Sequence, residues 1–294
     1  MSDSKHYVHF PMIPAEIQTW LTEHNYGTVI SSQPVHGGCI NRGAVLKTLS
    51  GDTFFLKTNH NSPPNMFACE VAGLDALRVN DGPTVPETYI HGTNFLLMQD
   101  LAPTAKSRDY WQIFGRELAQ LHLHTRPEFG FAHDNYIGST EQPNIWTQTG
   151  YDFFAEQRLL FQISLARERG LVSQFEVHQV EHLISRLPEL IPEQPASLSH
   201  GDLWSGNAIS DFNGNPAIID PAAHYGWAEA ELAMTTLFGS FPTSFYNAYE
   251  EIRPLSSGYQ ARFPIYNLYH LLNHLNLFGS SYLSQVQTIL RKFG

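Results

Sequence analysis

Between residues 13 and 101 the chain switches repeatedly between helical and strand-like spacing of its apolar positions. In "IPAEIQTWLTEHNYG" these positions recur every three to four residues, which predicts an amphipathic helix closed by Gly27 as its cap. The runs "TVISSQPV", "GAVLKTL" and "TFFLKTN" are separated by "HGG" and "SGD", so they predict three strands joined by turns. A second helical pattern, "NMFACEVAGLDALRV", comes next, and "PETYIHGTNFLLMQDL" reads as two more strands around "HGTN". From about residue 103 the pattern lengthens into amphipathic stretches: "RDYWQIFGRELAQLHLHT", "YDFFAEQRLLFQISLARERG" and "SQFEVHQVEHLISRL". The change falls at "MQDLAPT", where a strand runs into a proline-bearing connector. The expected class is α+β and bilobal, with a small β-sheet lobe over residues 1–99 and a mostly helical lobe over 100–294. No internal repeat or low-complexity tract points to a solenoid or a disordered tail.

Composition narrows the function. At 294 residues and 42% hydrophobic content the chain can fill a sizeable core. A formal charge of −11 argues against general nucleic-acid binding, which needs a basic face to release counterions. No window approaches the roughly 20 apolar residues of a membrane span, and "MSDSKHYVHF" lacks the regions of a signal peptide. A cytoplasmic protein with no membrane partner is expected. Two cysteines, Cys39 and Cys69, are too few for a disulfide framework, and the fifteen histidines are scattered.

The densest chemistry lies in "LSHGDLWSGNAISDFNGNPAIIDP", residues 198–221. "NGN" is a turn signal, and "AISDF" and "PAIID" beside it can pair as a short hairpin that brings Asn207 and Asp220 together. Their side-chain oxygens are hard donors of the kind magnesium takes alongside water and phosphate. Asp202, five residues before Asn207, is placed to face an attacking hydroxyl. One orienting carboxylate and two metal ligands make a phosphoryl-transfer layout. Taken singly, Asp202 and Asn207 read equally well as turn residues and Asp220 as a strand cap before Pro221.

"HGDLWSGN" followed by "IIDPAAHYGWAEAELAMTTLFGSFPTSFYNAYEE" resembles the fructosamine (ketosamine) kinase family, a branch of the protein-kinase-like phosphotransferases that includes aminoglycoside and choline kinases. The resemblance covers nearly the whole chain. "GGCIN" at 37–41, "FFLK" ending at Lys57, "FACEVAGLDAL" at 67–77 and "LAQLHLHT" at 118–125 fall in the family's order.

The resemblance implies roles. ATP and magnesium are the expected cofactors, with ATP held between the lobes. Lys57 takes the position of the lysine that grips the α- and β-phosphates, and Glu70 that of its carboxylate partner, which a buried ammonium needs. The loop bearing Gly37 and Gly38 would bring backbone N–H groups to the phosphates, although it lacks a full G-x-G-x-x-G and also reads as an ordinary turn. The main chain of Met98, Gln99, Asp100 and Leu101 would receive the adenine edge. Asp202 is the expected base, with Asn207 and Asp220 on magnesium. His200 is expected to support the catalytic loop without carrying a proton. Trp204 would stack on the acceptor or pack in the core, and His224 and Tyr225 would line the acceptor pocket or serve only structure. Cys39, beside the glycines, is a candidate redox-sensitive thiol and could link an otherwise monomeric protein into a dimer on oxidation. The aromatic runs "FGSFPTSFYNAY" and "YNLYHLLNHLNLF" are expected to build the core of the large lobe.

The implied acceptor is the C3 hydroxyl of a ketosamine, a rearranged sugar–amine adduct that phosphorylation destabilises. Two other readings stay open on the residues alone. One is a kinase of the same fold acting on an aminoglycoside, choline or an amino sugar, and the other is a nucleotide-binding scaffold without turnover. Retention of Lys57, Glu70, Asp202, Asn207 and Asp220 argues against the scaffold.

Overall fold

The computed structural model describes residues 13–35 and 41–294. Two compact units emerge, one made of the described residues through Ala68 with Pro86–Leu101, the other of Cys69–Val85 with Ala102–Gly294. The segment 69–85, grouped above with the small lobe, clusters with the helical unit because Leu74, Leu77 and Val85 are buried in that unit's core.

In the first unit, helix α1 (Ala15–Glu23) precedes strands β1 (Val29–Val35), β2 (Arg42–Thr48) and β3 (Thr53–Thr58). The expected Gly27 cap is displaced to Asn25. Asn25 adopts φ 65°, its N–H reaches Thr22 O at 3.1 Å, and the Tyr26 N–H reaches Leu21 O at 2.9 Å. This Schellman pattern closes the helix two residues before Gly27, and asparagine supplies the left-handed conformation. Helix α2 (Met66–Leu77) follows β3, then strands β4 (Thr88–His91) and β5 (Phe95–Gln99) complete an antiparallel sheet of order β1-β2-β3-β5-β4. Alternation along β3 sends Phe54 and Leu56 into a core with Ile17, Leu21, Leu46 and Leu97. Each such side chain contributes about 1.5–3 kcal/mol on burial. Phe55 lies on the other face, opposite Val45, and its ring reaches over Gly43, where a Cβ would stand 2.8 Å from it.

The second unit continues with α3 (Tyr110–Leu123), the short strands β6 (Thr125–Arg126), β7 (Asn135–Ile137) and β8 (Thr140–Gln142), and helix α4 (Gly150–Asp152). That helix runs through a π-helical stretch, Phe153–Leu160, into α5 (Phe161–Glu168). Helices α6 (Gln174–Ser185) and α7 (Leu187–Leu190) lead to β9 (Ala196–Ser199), β10 (Ala208–Ser210), β11 (Pro216–Ile218) and β12 (His224–Gly226). Helices α8 (Ala228–Met234), α9 (Thr243–Ile252), α10 (Tyr259–Phe278) and α11 (Leu283–Phe293) close the chain. Gly115 lets α3 and α9 approach closely, since a Cβ there would lie 2.2 Å from Phe245 O. The aromatic runs are mostly core as expected, with Phe241, Phe245, Tyr249, Tyr266 and Tyr269 buried, whereas Phe278 at the end of the second run is exposed. Among the described residues no helix is long and apolar enough to cross a membrane.

Candidate active site

Strand β9 is the middle strand of a small sheet of order β12-β9-β6, and it delivers His200, Gly201 and Asp202 at its end. Gly201 has φ +83°, and a Cβ on it would stand 2.1 Å from Ala222 O, so only glycine lets the two segments pass. His200 ties the loop from both ring nitrogens. Its Nε2–H donates to Ile219 O at 2.8 Å, and its Nδ1 accepts the Asp202 N–H at 3.2 Å. That pair of bonds requires the neutral Nε2–H tautomer. His200 therefore acts as a support for the loop, and the Ala222 N–H adds a bond to its carbonyl at 2.9 Å.

The expected hairpin forms. β10 and β11 pair antiparallel with Ala208 opposite Ile218, and the turn Asp211–Asn215 is held by the Asp211 carboxylate, which accepts the Asn213 and Asn215 N–H groups at 2.8 Å each. Extending that register sets Asn207 beside Ile219, whose N–H reaches Asn207 O at 3.2 Å. Asp220 is thus the next residue along. It adopts φ 59° directly before Pro221, a left-handed conformation that aspartate tolerates but that a following proline disfavours. The Asn207 amide donates to Asp202 O at 2.8 Å and, more loosely, to Asp202 Oδ2 at 3.4 Å. Its nitrogen is thereby committed, and its Oδ1 is the atom left to meet a cation.

Burial raises the Asp202 carboxyl, the nearby Asp220 charge raises it further, and it reaches about 7 despite the opposing Asn207 hydrogen bond. Two carboxylates and an amide oxygen crowded in this way suit a hard divalent cation, whose charge would relieve the repulsion. Magnesium needs only one or two protein carboxylates when phosphate and water complete its shell. Among the described residues no group of three or more His, Cys, Asp or Glu side chains is placed to hold a metal ion.

The support for the loop is Glu231 of α8, which sequence reasoning passed over. Its Oε2 accepts the His200 N–H at 2.9 Å and the His122 Nε2–H at 2.9 Å, and its Oε1 accepts the Gly201 N–H at 2.7 Å. Burial works against the Glu231 charge, but the hydrogen bonds from the His122 ring and the His200 main chain outweigh it, so the carboxylate stays ionised below its usual range. Burial holds the His122 pKa down, with Glu231 pulling the other way, and the neutral ring accepts the Tyr249 hydroxyl on Nδ1 at 2.8 Å. Only "HLHT" at the end of α3 and "ELAM" in α8 hint at this pairing, and each reads alone as part of an ordinary helix.

The other predicted residues fall as follows. Trp204 is half-buried, edge-on to Phe238 at 6.3 Å and folded over Gly206, where a Cβ would lie 2.4 Å from its ring. His224 lies against the catalytic loop, since a Cβ on Gly201 would stand 3.0 Å from its Nδ1. Its Nδ1–H donates to Ala222 O at 3.0 Å, and burial with Arg158 nearby lowers it to about 3, so it is a neutral acceptor through Nε2. Tyr225 alternates to the opposite face of β12, under Arg126 at 5.1 Å and beside Trp146 at 6.2 Å. The structure does not gather it with His224. Lys57 is 5% exposed on β3, and Glu70 is half-buried on α2. Gln99 N–H is taken by Glu87 O at 2.7 Å, so an adenine edge would be met by main-chain groups other than that one. Gly37, Gly38 and Cys39 lie outside the described residues. A cavity of about 600 Å³, lined by Thr236, Tyr246, Phe263, Asn267, Leu271 and Ile289 among others, contains none of the predicted site residues.

An antiparallel five-stranded sheet unit, a helical unit, and a loop and hairpin carrying Asp202, Asn207 and Asp220 define the kinase-like phosphotransferase class. The fructosamine kinase family profile matches residues 12–293. The chain belongs to that family. It is 42% identical over 266 residues to a Synechocystis sp. protein named a probable ketoamine kinase, covering 88% of each chain. It is 39% identical over 286 residues to the chloroplastic protein-ribulosamine 3-kinase of Arabidopsis thaliana, covering 93% of this chain and 86% of that one. A Thermobifida fusca crystal structure provisionally named a fructosamine-3-kinase superposes with a TM-score of 0.84 at 31% identity, covering 94% of this chain and 97% of that one. An aminoglycoside phosphotransferase structure, at 15% identity and a TM-score of 0.60, shares the fold alone.

Proposed function

We propose that this chain transfers the γ-phosphoryl group of ATP to the C3 hydroxyl of a ketosamine, a fructosamine or ribulosamine adduct, and so serves deglycation. The observation that carries the chemistry is the rigid placement of Asp202 beside Asn207 and Asp220, with two main-chain N–H groups leading into it anchored on Glu231. The family match over residues 12–293 supports the acceptor class, and the ribulosamine kinase relative supports the position of transfer.

The Asp202 carboxylate orients the acceptor hydroxyl and takes its proton as the oxygen–phosphorus bond forms and the bond to ADP breaks. Asn207, through Oδ1, and the Asp220 carboxylate would hold magnesium, which when bound neutralises charge on the β- and γ-phosphates. Lys57 takes the α- and β-phosphates, with Glu70 as its counter-charge. His224, neutral and set against the catalytic loop, presents Nε2 as an acceptor for a sugar hydroxyl or an amine N–H. Phosphoryl transfer makes little demand for covalent help, so positioning and charge neutralisation supply most of the rate. We place the protein in the cytoplasm as a monomer, where ATP and sugar–amine adducts meet.

A magnesium-dependent ATP-consumption screen tests the reading, with fructosyl-lysine and ribulosyl-lysine set against an aminoglycoside and choline. Turnover with the ketosamines alone is expected. Turnover confined to the aminoglycoside or choline would overturn it.

A further inference from the structure

Behind the hairpin, the helical unit buries a guanidinium, three amides and a phenol that the mechanism above does not use. Arg158 is 2% exposed, and its guanidinium lies 4.4 Å from the Phe153 ring centroid and 5.4 Å from that of Tyr269. A guanidinium can only donate, so it sets the direction of every bond that follows. Arg158 Nη2 donates to Asn144 Oδ1 at 2.8 Å, which turns Asn144 Nδ2 toward Asn135 Oδ1 at 3.0 Å. Gln142 Nε2 donates to the same Asn135 oxygen at 2.7 Å, and Tyr269 Oη donates to Gln142 Oε1 at 2.6 Å. Asn135, Gln142, Asn144 and Tyr269 are each 4% exposed or less.

With both amides oriented, their remaining hydrogens point at one stretch of main chain. Asn135 Nδ2 donates to Ala223 O at 2.9 Å, and Gln142 Nε2 donates to Ala222 O at 3.1 Å. The Ala222 N–H is already bound to His200 O at 2.9 Å. Three backbone polar groups just past Asp220 are thus fixed, and Asp220 is the residue held in the left-handed conformation before proline. Proline at the next position biases Asp220 away from that conformation, so the contacts around it help to hold it.

We propose that Asn135, Gln142 and Tyr269 are positioning residues for Asp220. They clamp Ala222 and Ala223 so that the Asp220 carboxylate is presented to the metal in one orientation. The proposal rests on reading Asp220 as a metal ligand. Residues that orient a ligand typically change metal affinity by about 10- to 100-fold when altered, whereas buried groups that serve only the core change melting temperature.

The test is Mn²⁺ binding, read as free Mn²⁺ by electron paramagnetic resonance, in the presence of a non-hydrolysable ATP analogue and well below each variant's melting temperature. Tyr269→Phe removes the donor that orients Gln142, and Gln142→Met removes the clamp on Ala222 without adding a repulsive oxygen. Both should weaken Mn²⁺ by at least about tenfold while leaving metal-free binding of the analogue unchanged. Mn²⁺ affinity within twofold of wild type in both variants would overturn the proposal, and if Tyr269→Phe fails to fold, Gln142→Met decides alone. Asp220→Asn separates the two ideas. If it loses Mn²⁺ while the clamp variants keep it, the positioning role is wrong and the metal ligand stands. If Asp220→Asn also keeps wild-type affinity, the ligand assignment fails and the positioning role falls with it.

Discussion

The Glu231 carboxylate accepts the main-chain N–H of Gly201 at 2.7 Å, one residue before Asp202. A carboxylate from α8 therefore sets the height and tilt of the loop that presents Asp202, and it is itself 4% exposed. Conformational freedom at Asp202 is thus limited by a buried carboxylate from a different element.

Glu231→Gln should damage both stability and turnover. The amide keeps one accepting oxygen but turns an NH₂ toward a donor, leaving buried N–H groups of His200, Gly201 or His122 unmatched. Breaking a buried charged network of this kind costs about 3–5 kcal/mol. Misplacing Asp202 by a fraction of an ångström to an ångström lowers kcat by about 10²-fold. Thermal melts and steady-state kinetics on the same preparation check both numbers.

Gly201→Ala tests the crossing of the two segments. The added methyl would meet Ala222 O at 2.1 Å, and φ +83° is unfavourable for alanine. A loss of about 3 kcal/mol is expected from clash and strain together. Denaturant unfolding reads it directly, and a variant as stable as wild type would contradict the geometry.

Asp202→Asn should lower kcat by about 10²–10⁴-fold, the share usually carried by a positioned base, while ATP affinity stays nearly intact. Turnover and nucleotide binding measured separately distinguish a lost base from a lost site.

The raised Asp202 pKa makes a signed prediction for the metal-free protein. Its folded value is about 7 against an ordinary 3.8, so between those values the native state holds the proton that the unfolded chain has released. Stability from this group is therefore greatest at low pH and is lost as pH rises from about 4 through 7. The stability difference between wild type and Asp202→Asn isolates it from the buried histidines His224 and His270, whose lowered pKa values act in the opposite sense. That difference should move against wild type as pH rises through the window, and saturating magnesium should reduce the change.

Much of this was legible beforehand. The strands of the first unit follow from β-rich runs broken by turn residues, and "NGN" between "AISDF" and "PAIID" announces the β10–β11 hairpin that sets Asn207 near Asp220. Glu231 and His122 were not legible, because each sits at helical spacing and their 2.9 Å bond joins residues 109 positions apart. The π-helical stretch Phe153–Leu160 was hidden for a related reason: a 3.6-residue period fits its apolar residues well enough to read as plain α-helix. In α10 the core assignment held for Tyr266 and Tyr269, but the buried polar side chains of Asn267, His270 and Asn273 are interleaved with them, and apolar periodicity does not announce those. Asn25 displaced Gly27 as the helix terminator because both residues tolerate positive φ and only the hydrogen-bond pattern chooses between them.

The most direct measurement is the position of the phosphate on the product. Fructosyl-lysine or ribulosyl-lysine is incubated with the protein, ATP and magnesium, and the product is assigned by phosphorus–proton correlation in nuclear magnetic resonance. The account predicts a single phosphoester on the C3 oxygen, formed about 10²–10⁴-fold more slowly with Asp202→Asn. A phosphate on another hydroxyl, or an unmodified ketosamine beside a phosphorylated aminoglycoside or choline, would contradict it.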